Sequence, residues 1–270
     1  RGIALRVCAG RSEQQCGGTG GAVRGQRQRA AATIGAMDAS TDDAAAVPAA
    51  QVEHDARMVF EAVRDGAVAI IHLDVAYAIL GRSEESVRRI YAAKERSFAK
   101  PTGIVGSLAA HDALHVMDGT GRDIVRAVTV AHDLPLAVIA PYRADHPFLS
   151  GLAPFVMNNA VKDGTLNLLL NAGRLRTRIA ELCWAGQVPF VGSSANASMK
   201  GSRYRARDID PEVLAIADIV IDYGESRYRN PEGRSSTMID FRDYSVVRRG
   251  VCFDAIAAVF RDEFGIALRG

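Results

Sequence analysis

An α/β fold, read more narrowly as an α+β domain on one twisted mixed sheet flanked by helices, is predicted by three observations. Short apolar runs such as 67–71 and 165–170 have the length and composition of buried strands. Apolar residues recur at three- and four-residue spacing over 122–132, 174–185 and 253–264, which is helical periodicity. The two kinds of segment are interspersed with no repeat at a fixed period, which favours one layered domain over a solenoid. No Rossmann strand order is expected.

Residues 1–47 are rich in Gly, Ala, Gln, Ser and Arg, with almost no acid before Asp38, and are expected to be a disordered extension of a folded domain at 48–270. The run Gly17-Gly18-Thr19-Gly20-Gly21 lacks the Gly-Lys-Ser/Thr ending of a phosphate loop. Arginine without acid is the composition of an organellar transit segment; Met37 offers the other reading, a start codon behind an upstream artefact. Order is expected from Gln51, where Val52, Ala56, Val59, Phe60 and Val63 share a helix face until Gly66. A strand at 67–71 follows. Ser83 caps a second helix running to Arg96, with Glu84 and Glu85 in its favourable first turn and Val87, Ile90 and Tyr91 inward. Further strands are expected at 103–107, 135–140, 165–171, 188–192, 218–222, 237–241 and 244–248. Gly265 closes the last helix, and Asp210-Pro211 reads as an N-cap with a first-turn proline.

With 270 residues, 48% hydrophobic and 24% charged, the chain has enough apolar residue to bury a full core. Its longest apolar runs fall far short of the roughly 20 residues that cross a bilayer, so no membrane span is implied. A net charge of +2 is too small to announce nucleic-acid binding, although a local basic cluster would still serve phosphate or RNA. Cys8, Cys16, Cys183 and Cys252 show no C-x-x-C spacing, so neither a zinc cage nor a redox pair is suggested. Cys183 beside Trp184 and Cys252 beside Phe253 read as small core residues, suited to a reducing, cytoplasmic compartment. No protein partner is identifiable.

Four motifs stand out. Lys94-Glu95-Arg96 with Lys100-Pro101 places three cations at a helix end and its loop; alone, such charges form a solvated face, but together they match a polyphosphate. Ser194-Ala195-Asn196 follows an apolar strand, where α/β sheets bind ligands, though as an isolated cluster it is a turn. Ser236-Thr237-Met238-Ile239-Asp240 and Arg248-Arg249-Gly250 lie one hairpin apart, and Arg248 alone would be an edge-strand charge. His111 and His115 share a helix face as zinc ligands do, but without a third ligand or a base they read as a solvated or capping pair, with no metal site.

In order and spacing the four motifs resemble the YrdC-like family, whose best-known members are threonylcarbamoyl-adenylate synthases. The resemblance covers roughly 51–251 and implies a nucleotidyltransferase that joins ATP, bicarbonate and an amino acid into a carbamoyl-adenylate for tRNA modification, releasing pyrophosphate, with Mg2+ as the accompanying ion. It implies that Lys94 and Arg96 are catalytic, and that Lys94, Arg96, Lys100, Ser194, Asn196, Ser236 and Arg248 bind the nucleotide. Ser97 stands where the family commonly has proline. The family's Pro-Thr-(Asp/Glu)-Thr-x-Tyr-Gly becomes His72-Leu73-Asp74-Val75-Ala76-Tyr77-Ala78: Asp74 and Tyr77 remain for the substrate pocket, while Leu73 and Val75 replace both hydroxyls. A pocket so changed would reject threonine, whose hydroxyl is left unpaired. The family's Pro-Gly-Pro-x-Thr segment is missing; 141–147 occupies the comparable region. Two rival readings are a paralogue acting on another amine and a non-catalytic module for nucleotide or double-stranded RNA.

Overall fold

The structure, a computed structural model, describes residues 47–270 except Ala99. The expectations for 1–46, including the glycine run, Met37, Cys8 and Cys16, lie outside the described residues.

The chain opens with α1 (Ala49–Arg64), β1 (Ala69–Ile71), β2 (Ala78–Gly81) and α2 (Glu84–Ala93). Next come β3 (Gly103–Ile104), α3 (Leu108–Leu114), α4 (Gly119–Arg126), a π-helical turn (Ala127–Ala131) and β4 (Leu136–Pro141). The middle of the chain is α5 (Pro154–Asn158), β5 (Val161–Lys162), β6 (Thr165–Leu170), α6 (Arg174–Gly186) and β7 (Val191–Ser194). It finishes with α7 (Pro211–Leu214), β8 (Ile219–Ile221), β9 (Thr237–Asp240), β10 (Ser245–Arg248) and α8 (Phe253–Phe264). Among the described residues no helix is long and apolar enough to cross a membrane.

All ten strands join one mixed sheet in the order β10-β9-β4-β6-β3-β7-β2-β1-β8, with β5 paired beside β6. β1 with β8, β3 with β6 and β4 with β9 are parallel, and the other pairs are antiparallel. The period-two alternation of strands distributes side chains to both faces. Ala69, Ile71, Ala78 and Leu80 point into the main core, which α1, α4, α6 and α8 cover. Val68, Ile70, Tyr77 and Ile79 point into a smaller core closed by Ile90 of α2 and Val213 of α7.

Local chemistry sets the element ends. Ser83 accepts from Ser86 N at 3.1 Å and starts α2, and Gly265 ends α8 at φ 67°. α4 begins earlier than the apolar pattern implies because Asp118 caps it, accepting from Gly121 N at 2.7 Å. The strand expected at 188–192 shifts to Val191–Ser194, since left-handed Gln187 ends α6 and Val188 N still bonds Cys183 O. β2 was not foreseen as a strand: its register against both β1 and β7 buries Ala78, Ile79, Leu80 and Gly81, so it shows no polar alternation. Cys183 is fully buried, and Cys252 is half-buried against the core.

β9 and β10 end in a backbone clasp. Thr237 Oγ1 donates to Val251 O at 2.8 Å and accepts from Gly250 N at 3.1 Å, and Val251 N bonds Ser235 O. The C-terminal residues run beside β10: Val246 N donates to Arg269 O and Arg269 N to Tyr244 O. A Cβ at Gly250 would lie 2.2 Å from Ser235 O and 2.3 Å from Ser236 C, so only glycine fits without moving backbone. Gly250→Ala is expected to cost about 2–3 kcal/mol and to lower the melting temperature by roughly 5–10 °C. Gly119→Ala, which meets nothing within 4 Å in the first turn of α4, is expected to change it little. Indistinguishable melting curves for the two variants would show that the clasp yields.

Candidate functional site

Lys94 is the C-cap of α2, and its side chain turns inward: the residue is only 1% exposed. Its Nζ donates to the main-chain carbonyls of Ser194, at the end of β7, and of Asn196, the latter at 2.5 Å. In return Lys94 O accepts from Ser198 N at 2.9 Å. Two of the sequence motifs are therefore one structural unit, a helix end clasped to a strand end. Burial, and then the nearby Arg96 charge, pull the Lys94 ammonium down to about 7, with Asp210 opposing. The lysine expected on a solvated face or against a polyphosphate points away from bulk water as a clasp.

The turn beyond β7 is held from a third side. Asp210 occupies the N-cap position of α7, but its carboxylate makes no cap bond there. Oδ2 accepts instead from Ala197 N at 2.9 Å, and the carboxylate pairs with Lys200 and Arg203. These contacts hold its pKa below the usual carboxylate range, the Ala197 N–H bond first. The Asp-Pro signal located this residue correctly and missed its task. Within the turn, Asn196 Oδ1, Ser198 Oγ and Arg203 Nε are buried without a protein partner among the described residues.

Arg96 and Lys100 flank the clasp. Arg96 donates to Pro101 O at 2.8 Å and Lys100 O at 3.3 Å, and its guanidinium lies 5.7 Å from the Tyr91 ring centroid. Lys100 is exposed, with Nζ 3.1 Å from Met199 Sδ. Glu95 at φ 49° and Met199 at φ 68° lie in the left-handed region, one on each loop, where long side chains are uncommon.

Tyr77 connects this unit to the 72–78 segment. Its N–H donates to Arg203 O, its carbonyl accepts from Ala195 N, and its hydroxyl lies against Asp222 Oδ1 and, at 2.7 Å, Gly224 O. Burial and the Asp222 carboxylate push that phenol up. Asp222 had no signal beyond ending a strand. Asp74 N bonds Ala172 O, and its carboxylate lies so close to Gly173 that a Cβ there would sit 2.6 Å from Oδ1. A cavity of about 520 Å3 opens beside it, lined by Asp133, Asn171, Arg174 and Arg227 among others. Leu73 and Val75 are buried in the main core.

Ser236 and Arg248 form a separate group. Arg248 donates to Ser236 O at 2.9 Å and Ser236 Oγ at 3.0 Å. No hydrogen bond joins it to Lys94, Arg96, Ser194 or Asn196 among the described residues; the loop before Ser236 reaches their turn instead. Ser202 N donates to Gly233 O at 2.9 Å, and the Tyr204 hydroxyl donates to Arg234 O at 2.6 Å.

His111 and His115 are not solvated. Both rings are buried, their Nδ1 atoms are 2.9 Å apart, and His115 Nε2 lies 3.2 Å from Leu166 O. Burial leads in holding His111 to about 4 and His115 to about 3. The structure corrects the solvated reading because α3 packs this face onto the sheet. Among the described residues no group of three or more His, Cys, Asp or Glu could hold a metal.

Residues 61–250 match the Sua5/YciO/YrdC family model, described as "Telomere recombination". A Methanocaldococcus jannaschii protein named a putative threonylcarbamoyl-AMP synthase is 28% identical over 196 residues, covering 70% of this chain and 82% of that protein. A hypothetical protein from Streptococcus mutans UA159 shares the fold with a TM-score of 0.66 at 21% identity, over 78% of this chain and 92% of that one. P. abyssi Sua5 complexed with L-threonine superposes with a TM-score of 0.60 at 22% identity, over 80% of this chain and 59% of that one.

Two outcomes are expected of the clasp. Lys94→Ala leaves two carbonyls without their donor and should cost about 1–3 kcal/mol of stability, measured by urea unfolding; an unchanged midpoint would remove the clasp. Because the Lys94 pKa is depressed to about 7, an anion bound beside it raises that pKa and draws in a proton. Tripolyphosphate binding should therefore take up protons between about pH 7 and 8 and weaken as pH rises, seen by calorimetry in buffers of different ionisation enthalpy. The same heat in every buffer would count against it.

Proposed function

This chain belongs to the Sua5/YciO/YrdC family, and we propose that it is a nucleotidyltransferase resembling L-threonylcarbamoyladenylate synthase. Its substrates are ATP, bicarbonate and an amino acid. The observation that carries this reading is the Lys94 clasp, which fixes the Lys-x-Arg and Ser-x-Asn motifs against each other at the carboxyl end of β7.

The amine and bicarbonate condense to a carbamate with loss of water. A carbamate oxygen attacks the α-phosphorus, the bond to the β-phosphate oxygen breaks, and pyrophosphate leaves with that electron pair. The protein's work is positioning and charge neutralisation, with no covalent intermediate on the chain. Lys94 and Arg96 supply positive charge where the transferred group becomes more negative. Ser194, Asn196 and Lys100 complete the phosphate cradle, and Ser236 with Arg248 forms a second hold on the nucleotide. The unpartnered oxygens Asn196 Oδ1 and Ser198 Oγ are hard donors that fit magnesium. Bound there, the ion would offset triphosphate charge.

The acceptor is read by the 72–78 segment. Charges of both signs around the cavity beside Asp74, Asp74 and Asp133 with Arg174 and Arg227, suit the ammonium and carboxylate of an amino acid. Leu73 and Val75, which stand where the family has hydroxyl residues, are buried in the main core and do not line this cavity, so they do not read the acceptor's side chain there.

Incubation with ATP, bicarbonate and each amino acid in turn should release pyrophosphate, most with the accepted amino acid and least without bicarbonate. No release with any amino acid, alongside intact ATP binding, would leave a binding module in its place.

A further inference from the structure

Phe98 is half exposed, at 50%, on the loop that leaves the Lys94 clasp. It lies two residues from Arg96, and its surroundings are organised. One face of the ring stacks on Tyr91 at 4.7 Å between centroids and 16° between planes. Phe155 meets it edge-on at 5.5 Å. Tyr91 is itself fixed: it is buried, and its hydroxyl donates to Lys100 O at 2.9 Å. The ring is therefore backed by a rigid aromatic stack while half its surface stays in water.

Cations surround this stack. Arg96 lies over the same Tyr91 ring at 5.7 Å, so its guanidinium and the Phe98 ring are no farther apart than those two centroid distances together, within the span of one nucleotide. Arg88 sits over Phe155 at 3.8 Å, and Lys100 follows Phe98 by two residues. Met199, 86% exposed, brings a polarisable thioether to Lys100 Nζ from the opposite loop. A flat, electron-rich group tied to a polyanion matches this arrangement in both shape and charge.

We infer that Phe98 is the platform on which the nucleobase of the bound nucleotide stacks, with the phosphates on Arg96 and the Lys94 clasp. The inference rests on the nucleotide reading above and adds to it the residue that distinguishes a nucleotide from bare polyphosphate. Phe98 is a binding residue here, remote from the reacting phosphorus.

The test compares ATP with inorganic tripolyphosphate on the full chain by calorimetry. Phe98→Ala should weaken ATP about tenfold and leave tripolyphosphate within twofold, because only the base loses its partner. Phe98→Trp, which keeps an aromatic face, should retain ATP affinity or improve it. Both variants should melt cooperatively, Phe98→Ala lower by no more than the loss of its contacts with Tyr91 and Phe155. If Phe98→Ala leaves ATP affinity unchanged, or weakens both ligands alike, the platform is overturned while the nucleotide site stands. If the wild type binds tripolyphosphate and ATP equally, no base site exists. If it binds neither, the nucleotide reading has failed and this inference with it.

Discussion

The ammonium of Lys94 is withdrawn from water and keeps its protons only by lending them to two main-chain carbonyls. A buried cation without such acceptors would cost several kcal/mol, so the end of α2 and the end of β7 are each other's condition. If the turn at 194–197 moved, the lysine would lose its acceptors; if the helix unwound, the turn would lose its donor. Ser198 N on Lys94 O closes the exchange in the reverse direction, and Asp210 holds Ala197 from α7. Three elements far apart in sequence thus meet at one turn, whose backbone is gripped by the side chains of Lys94 and Asp210.

The sheet order explains why the meeting occurs there. β7 lies between β3 and β2, so its carboxyl end emerges beside the 72–78 segment that enters β2. Tyr77 takes one hydrogen bond from that turn and gives one to Arg203, which carries the same rigidity into the 200–207 segment. From Gly201–Gly233 contact the chain leads to Ser236 and Arg248, at the other side of the sheet. Two polar groups, built on different strands, are linked by two loops whose glycines, Gly201 and Gly233, permit the close approach.

Much of this was legible in the sequence because burial leaves a period. α1, α6 and α8 followed from apolar spacing, and β4, β6 and β9 from short apolar runs, to within a residue or two. β2 escaped because a strand buried on both faces has no alternation, and its first residue, Ala78, closes the 72–78 motif. Residue types and order singled out the two motifs that the Lys94 clasp joins, but not the direction of Lys94, since charge alone says nothing of which way a helix-end lysine turns. Asp210 and Asp222 act through hydrogen bonds to distant backbone or to Tyr77, and no local spacing encodes such contacts. The histidines misled for the opposite reason: their spacing was read on a helix taken to face water.

The C-terminal strip beside β10 has a consequence for self-association. A ten-stranded sheet has two outer edges, and an outer edge with free backbone groups invites another chain to extend it. Arg269 gives its carbonyl to Val246 and its N–H to Tyr244, occupying the positions a second molecule would use, and the irregular register between Val246 and Arg248 twists what is left. At the opposite edge β8 is only three residues long. Shortness on one side and a covering strip on the other let a broad sheet stay finite in a crowded solution.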